Sequence, residues 1–174
     1  MKAEIVFETL DMAAMMDRFG KKIPGLGLFG KTLVKNPKNL ETFALPAAKK
    51  ILKDKKLDVE VKKITINAEG SSVSSVSAEF GQIDYAGVGV AALPMIGELL
   101  KKKKPEHPVL KLLDVLGPDA QTLIRTGAAN VSDAKKELLL KTAVTEYQSL
   151  LVEKLNGLIA KKKLPAEVAA VRID

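Results

Sequence analysis

The sequence predicts an α+β domain, a small and mostly antiparallel sheet packed with several helices, and three observations carry that prediction. The N-terminal residues alternate apolar and polar; a long stretch from Leu57 to Tyr85 reads as two alternating runs around Glu69-Gly70-Ser71-Ser72; and the last third takes helical spacing before a β-branched tail, Ala166 to Ile173. Strand, helices, hairpin, helices, strand is an order of segregated elements, unlike the regular strand–helix alternation of a parallel sheet. A chain of 174 residues can bury about 70% of its unfolded surface around one core. A single domain over residues 1–174 is therefore expected. No segment repeats at solenoid spacing.

Ala3, Ile5, Phe7 and Thr9 alternate with Lys2, Glu4, Val6 and Glu8, which predicts a half-buried first strand. Asp11 is placed to cap a helix in which Met12, Met15, Met16 and Phe19 share a face, with Gly20 as its stop. Residues 20 to 39 read as an irregular connection rich in glycine and lysine. Between Asn39 and Lys56, the apolar positions Leu40, Phe43, Ala44, Ala47, Ala48, Ile51 and Leu52 fit one helix face. Proline would end or kink a first turn at Pro46, so this helix is expected from about Leu45.

Leu57, Val59 and Val61 alternate with charged residues, then the phase slips at Lys62-Lys63 before Ile64, Ile66 and Ala68 resume. A slip of one residue is the sequence mark of a β-bulge. Val76, Ala78, Phe80, Ile83 and Tyr85 supply the return strand, which makes a long hairpin. Ser71, Ser72, Ser74, Ser75 and Ser77 are expected on its polar outward face, and none lies in a GxSxG nucleophile elbow.

After Gly87 to Gly89 the pattern turns helical through Leu100, with Pro94 expected at a first turn, and Gly87 to Leu100 is small and apolar. This run predicts a buried core helix; an apolar pocket wall or a self-association surface is its other reading. His107 to Leu116 and Asp119 to Thr126 form two short helices, the second closed by Gly127. Ser132 opens a long C-terminal helix whose stripe Leu140, Val144, Tyr147, Leu151, Leu155 and Leu158 runs on to about Lys163. The lysine runs 101–104 and 161–163 each end an apolar helical run before Pro105 or Pro165, where cations oppose the negative end of the helix dipole.

Composition removes most catalytic chemistry. The absence of cysteine excludes disulfides, thiolate metal sites and cysteine nucleophiles, and the single histidine, His107, excludes two-histidine metal sites. His107 stands between two prolines at a helix start, where a capping role is the simplest one. Asp114 and Asp119 converge with no other acid in any recognisable pattern. No catalytic residue, metal or cofactor is expected. The acidic N-terminus lacks a signal-peptide core, and the stretch Tyr85 to Leu100 is too short and too interrupted to span a bilayer, so a cytoplasmic protein not integral to a membrane is expected.

The charge is concentrated. Residues 21 to 56 hold ten lysines against Glu41 and Asp54, a net +8, whereas the rest of the chain has 18 cations against 19 acids. Only Arg18, Arg125 and Arg172 are arginine, and aromatic residues make up 4% with no tryptophan. Sequence-specific nucleic-acid binding draws on arginine forks and aromatic platforms, so nucleic acid is an unfavoured partner. Lysines mixed with Ile23, Leu26, Leu28, Phe29, Leu33 and Val34 suit an anionic membrane surface or lipid-like ligand.

Within this segment, residues 25 to 32 read Gly-Leu-Gly-Leu-Phe-Gly-Lys-Thr, matching the letters of a phosphate-binding P-loop. In such a loop Lys31 would reach the phosphates and Thr32 a magnesium ion. The mechanism needs a buried strand running into Gly25 and a helix beginning at Lys31, whereas the charged and broken residues Arg18 to Pro24 precede it and Pro37 follows. The leading expectation is a non-enzymatic binding domain that engages an anionic or lipid-like surface through segment 21–56, with Lys21, Lys22, Gly25, Gly27, Gly30, Lys31, Thr32 and Lys35 as its candidate anion-binding residues. The alternatives are a nucleotide- or phosphate-binding enzyme using Gly25 to Thr32, and a structural protein that associates with itself as a homo-oligomer.

Overall fold

The computed structural model describes residues 1–19, 32 and 35–174. The N-terminal alternation forms strand β1 (Lys2–Leu10), the hairpin forms β2 (Val59–Glu69) and β3 (Ser72–Ile83), and the C-terminal tail forms β4 (Ala166–Ile173). They make one antiparallel sheet of order β2-β3-β1-β4. Around it lie helices α1 (Met12–Phe19), α2 (Glu41–Asp54), α3 (Tyr85–Lys103), α4 (Pro108–Leu116), α5 (Asp119–Ala129), α6 (Asp133–Glu146) and α7 (Gln148–Lys161). The fold is the α+β class that the element order predicts.

The hairpin carries the expected bulge and two further register shifts, one of them between Val59 and Val61, where β3 has the extra residue. Val61 faces Phe80 and Lys63 faces Glu79, so Lys62 is the extra residue and Val61 and Ile64 stay on one face. Asn67 faces Ser75 while Ala68 faces Val73, which makes Ser74 the extra residue on β3 and puts Val73 and Val76 on that same face. Met12, Ile66 and Val73 form the buried centre there, with Phe7, Leu10, Leu40, Ile64, Ala68 and Val76 packed around them. Gly70 makes the hairpin turn at φ 57°, a conformation that glycine adopts without cost.

The serine row departs from expectation. Ser72 and Ser74 are exposed, but Ser75 and Ser77 are buried, Ser77 retaining 3% of its surface. The reason is that β3 is an inner strand whose polar face is covered by longer neighbours. Ser75 Oγ donates to Glu4 Oε1 at 2.8 Å and accepts from Asn67 Nδ2 at 2.8 Å, and Arg172 Nη1 lies 3.9 Å from Glu4 Oε2. A polar ladder thus crosses all four strands.

Helix boundaries follow their caps. Asp11 Oδ1 accepts from Ala13 N at 2.8 Å and Ala14 N at 3.3 Å, as expected of a cap. Helix α2 begins at Glu41, earlier than Leu45, and carries Pro46 inside it. A 3-10 turn, Pro37–Leu40, leads directly into it, and Glu41 Oε1 accepts from Ile66 N at 2.7 Å, fastening its first turn to the sheet. The return strand stops at Ile83, and Tyr85 is helical: Asp84 Oδ1 accepts from Gly87 N at 2.9 Å and starts α3 there. A Cβ at Gly87 would lie 2.2 Å from that carboxylate, so the cap needs glycine. With α3 starting so early, Pro94 falls inside the helix instead of in its first turn.

His107 caps α4, its Nδ1 accepting from Val109 N at 3.2 Å. Helix α5 passes through Gly127 to Ala129, and its end is set by Asn130, whose Nδ2 donates to Thr126 O at 3.2 Å. The long C-terminal helical run is present with one interruption, at Tyr147 (φ −104°, ψ 16°), which separates α6 from α7. Ser132 opens α6 through its carbonyl, which accepts from Lys136 N at 3.0 Å, with no side-chain cap bond. Both lysine runs sit at helix ends, and the cross-links Lys102–Glu153 and Lys154–Glu98 join α3 to α7. The Lys154 ammonium holds the Glu98 carboxyl below its ordinary pKa.

Asn156 on α7 binds the backbone of Val168 twice, accepting from its N–H at 2.7 Å and donating to its carbonyl at 2.9 Å. Val168 keeps only 3% of its surface, so no solvent replaces these bonds. Asn156→Ala is expected to destabilise the fold by about 2 to 4 kcal/mol, the cost of two unsatisfied buried groups. Urea unfolding checks this, and a loss below about 0.5 kcal/mol would show that the bonds do not hold the edge.

Candidate functional site

Segment 21–56 is only partly within the described residues. Lys21, Lys22, Gly25, Gly27, Gly30 and Lys31 lie outside them, as do Gly20 and the apolar positions 23, 26, 28, 29, 33 and 34. Thr32 and Lys35 are both exposed, and the Thr32 carbonyl accepts from Asn36 N at 3.1 Å. Helix α1 is the last described element before Gly25, and all described strands pair antiparallel.

What the structure describes in full is the C-terminal half of the segment, helix α2 and its surroundings. Glu41, Ala44, Leu45, Ala48 and Leu52 are half-buried on the side of α2 toward the sheet. Phe43, Ala47 and Ile51 point away and are exposed, Phe43 at 55% and Ile51 at 60% of their surface. The sequence assigns all the apolar positions of this helix to one face; the structure divides them. At 100° per residue the apolar positions spread over more than half the circumference, so one contact with the sheet cannot cover them all.

The lysines lie on one side of this outer stripe, from Lys50 beside it round to the groove with β2. Lys49, Lys53 and Lys56 follow one another along one flank and rim a surface groove of about 470 Å³ between α2 and β2, floored by Leu52, Leu57, Val59 and Val61. Asp58 and Glu60 stand on its opposite rim. Lys50 projects beside the apolar stripe, and Lys38 and Lys55 extend the exposed cationic surface at either end. None of these six lysines makes an ion pair with a described residue, in contrast to Lys102, Lys136, Lys141 and Lys154 elsewhere. The exposed positive charge of α2 is therefore not ion-paired among the described residues, although Asp58 and Glu60 share the groove with Lys49, Lys53 and Lys56.

Lys56 also ends α2 in the left-handed conformation, φ 54°, while Leu57 N donates to Leu52 O at 2.9 Å. This is the helix stop that glycine usually supplies.

Elsewhere the candidates for chemistry stay dispersed. His107 is engaged as a cap, Asp114 is exposed, and Asp119 sits in the first turn of α5. Among the described residues no cluster of histidine and carboxylate side chains could hold a metal ion. No described helix is long and apolar enough to cross a membrane. No family model, curated protein or solved structure matches this chain.

Because the α2 lysines are exposed and unpaired, the triple variant Lys49→Gln, Lys50→Gln, Lys53→Gln is expected to unfold within about 0.5 kcal/mol per site of the wild type. Lys56→Gly is expected to stabilise by about 1 kcal/mol by relieving the left-handed backbone. Denaturant titration measures both; a large loss in the triple variant would mean that these lysines serve the fold.

Proposed function

We propose that this chain is a non-enzymatic binding domain whose basic segment 21–56 engages an anionic or lipid-like surface. The observation that carries this reading is the α2 face, where exposed lysines without described partners flank exposed apolar side chains. Each lysine near an anionic surface contributes about 1 kcal/mol, an attraction weakened by salt. Lys21, Lys22, Lys31 and Lys35 add to that charge on the N-terminal side of the segment.

Co-sedimentation with anionic and neutral vesicles, at low and physiological salt, tests the proposal together with retention on immobilised polyphosphate. Wild type is expected to bind the anionic carriers and not the neutral vesicles. Changing Lys21, Lys22, Lys31 and Lys35 to Gln is expected to weaken binding by roughly a hundredfold or more. Absence of binding to every anionic carrier would sink the reading.

Self-association is a second reading, supported by the outward Leu112 and Val115 of α4 and Leu138 and Leu139 of α6. Concentration-dependent sedimentation separates it from the first: a monomer at all concentrations removes it.

A further inference from the structure

Resting on the reading of segment 21–56 as an anionic-surface site, we infer that the occupant of its α2 half is a fluid anionic lipid bilayer, with the outer face of α2 lying on it. Phe43 and Ile51 enter the boundary between headgroups and acyl chains, and Lys50, beside the stripe, meets the lipid phosphates, with Lys53 next to it on the same flank.

Helical geometry puts Phe43 and Ile51 about 12 Å apart along the axis and about 80° apart around it. Ala47 lies between them, so nothing bulky stops both side chains from reaching one plane. Lysine at the flank of such a stripe can lay its four-carbon stem against apolar material while its ammonium stays at headgroup level. An apolar line bordered on one side by Lys50 and Lys53, with Asp54 at its C-terminal end, is close to the pattern of interfacial helices.

The charge argues for a bilayer over a protein or a nucleic acid. Every cation of the segment is lysine, a point charge without the planar fork that reads carboxylate or phosphate geometry. Other outward apolar side chains have mixed surroundings: Leu112 and Val115 neighbour Lys111 and Asp114, and Leu138 and Leu139 neighbour Lys136, Glu137 and Lys141. On α2, Asp54 is the one exposed acid, at the last turn. Its removal should strengthen docking.

The chain has no tryptophan, so Phe43→Trp places a single indole on the face in question, where the native side chain is already exposed. Titration of that variant with phosphatidylserine–phosphatidylcholine vesicles is expected to shift its emission to shorter wavelength, with quenching by acyl-brominated lipid. Ile51→Ser is expected to weaken vesicle binding about tenfold, and Asp54→Asn to strengthen it about fivefold. If the Phe43→Trp protein pellets with the vesicles while its indole stays water-exposed, or if Ile51→Ser binds like wild type, the inference is overturned and the charge-based function stands. Equal binding of wild type and Ile51→Ser to polyphosphate is expected in either case. Failure to bind both vesicles and polyphosphate overturns the inference and the function together.

Discussion

A four-stranded sheet leaves two outer strands whose free N–H and C=O groups invite further pairing, and here each is met by one side chain from a helix. Glu41 takes the N–H of Ile66 on β2, and Asn156 takes both backbone groups of Val168 on β4. These contacts also set the rotation of their helices. With Glu41 held toward the sheet, Ala44, Ala48 and Leu52 follow on the same side at helical spacing, and Phe43, Ala47 and Ile51 are carried outward. The exposed face of α2 is thus a consequence of how the β2 edge is closed. Within the sheet, the bulges at Lys62 and Ser74 serve the complementary purpose of keeping Val61, Ile64, Val73 and Val76 on the packed face.

Much of this was legible in the residues. Alternation locates the first strand and both hairpin strands, β-branched composition locates the last, and the phase slip at Lys62-Lys63 locates a bulge, because an error of one residue in a period of two moves side chains to the wrong face. The Ser74 bulge left no such mark, since serine stands on both sides of it and the polar pattern is unchanged by the slip. Asp11 was legible as a cap, because its effect is local. Pro46 and Pro94 are poor boundary marks for the opposite reason: the 3-10 turn Pro37–Leu40 leads into one helix at Glu41 and the Asp84 cap starts the other, both earlier than the prolines suggest. The division of α2 into two faces was not legible. It depends on the Glu41–Ile66 contact across 25 positions of chain, which helical periodicity cannot register.

The candidate site divides along the same line. The charge excess was visible as a count, but a count does not distinguish paired from unpaired lysines. The structure separates them: Lys102 and Lys154 tie α3 to α7, and Lys136 and Lys141 pair along α6, whereas the α2 lysines form no ion pair with a described residue. The lysine runs 101–104 and 161–163 belong to helix ends, and segment 21–56 holds the surplus.

That surplus has an energetic meaning. Like charges crowded on one helix raise one another's electrostatic energy, and solvent and salt relieve only part of it. A fold under selection for stability alone gains from an acid at position 50 or 53 to pair with its lysine neighbours, and from polar residues in place of Phe43 and Ile51. The α2 surface forgoes both. Its positive charge and its apolar stripe each carry a small cost in the isolated chain, and each cost is removed by the same event, contact with a surface that is negative outside and apolar beneath. Two unrelated expenses relieved by one partner argue more strongly for that partner than either feature does alone.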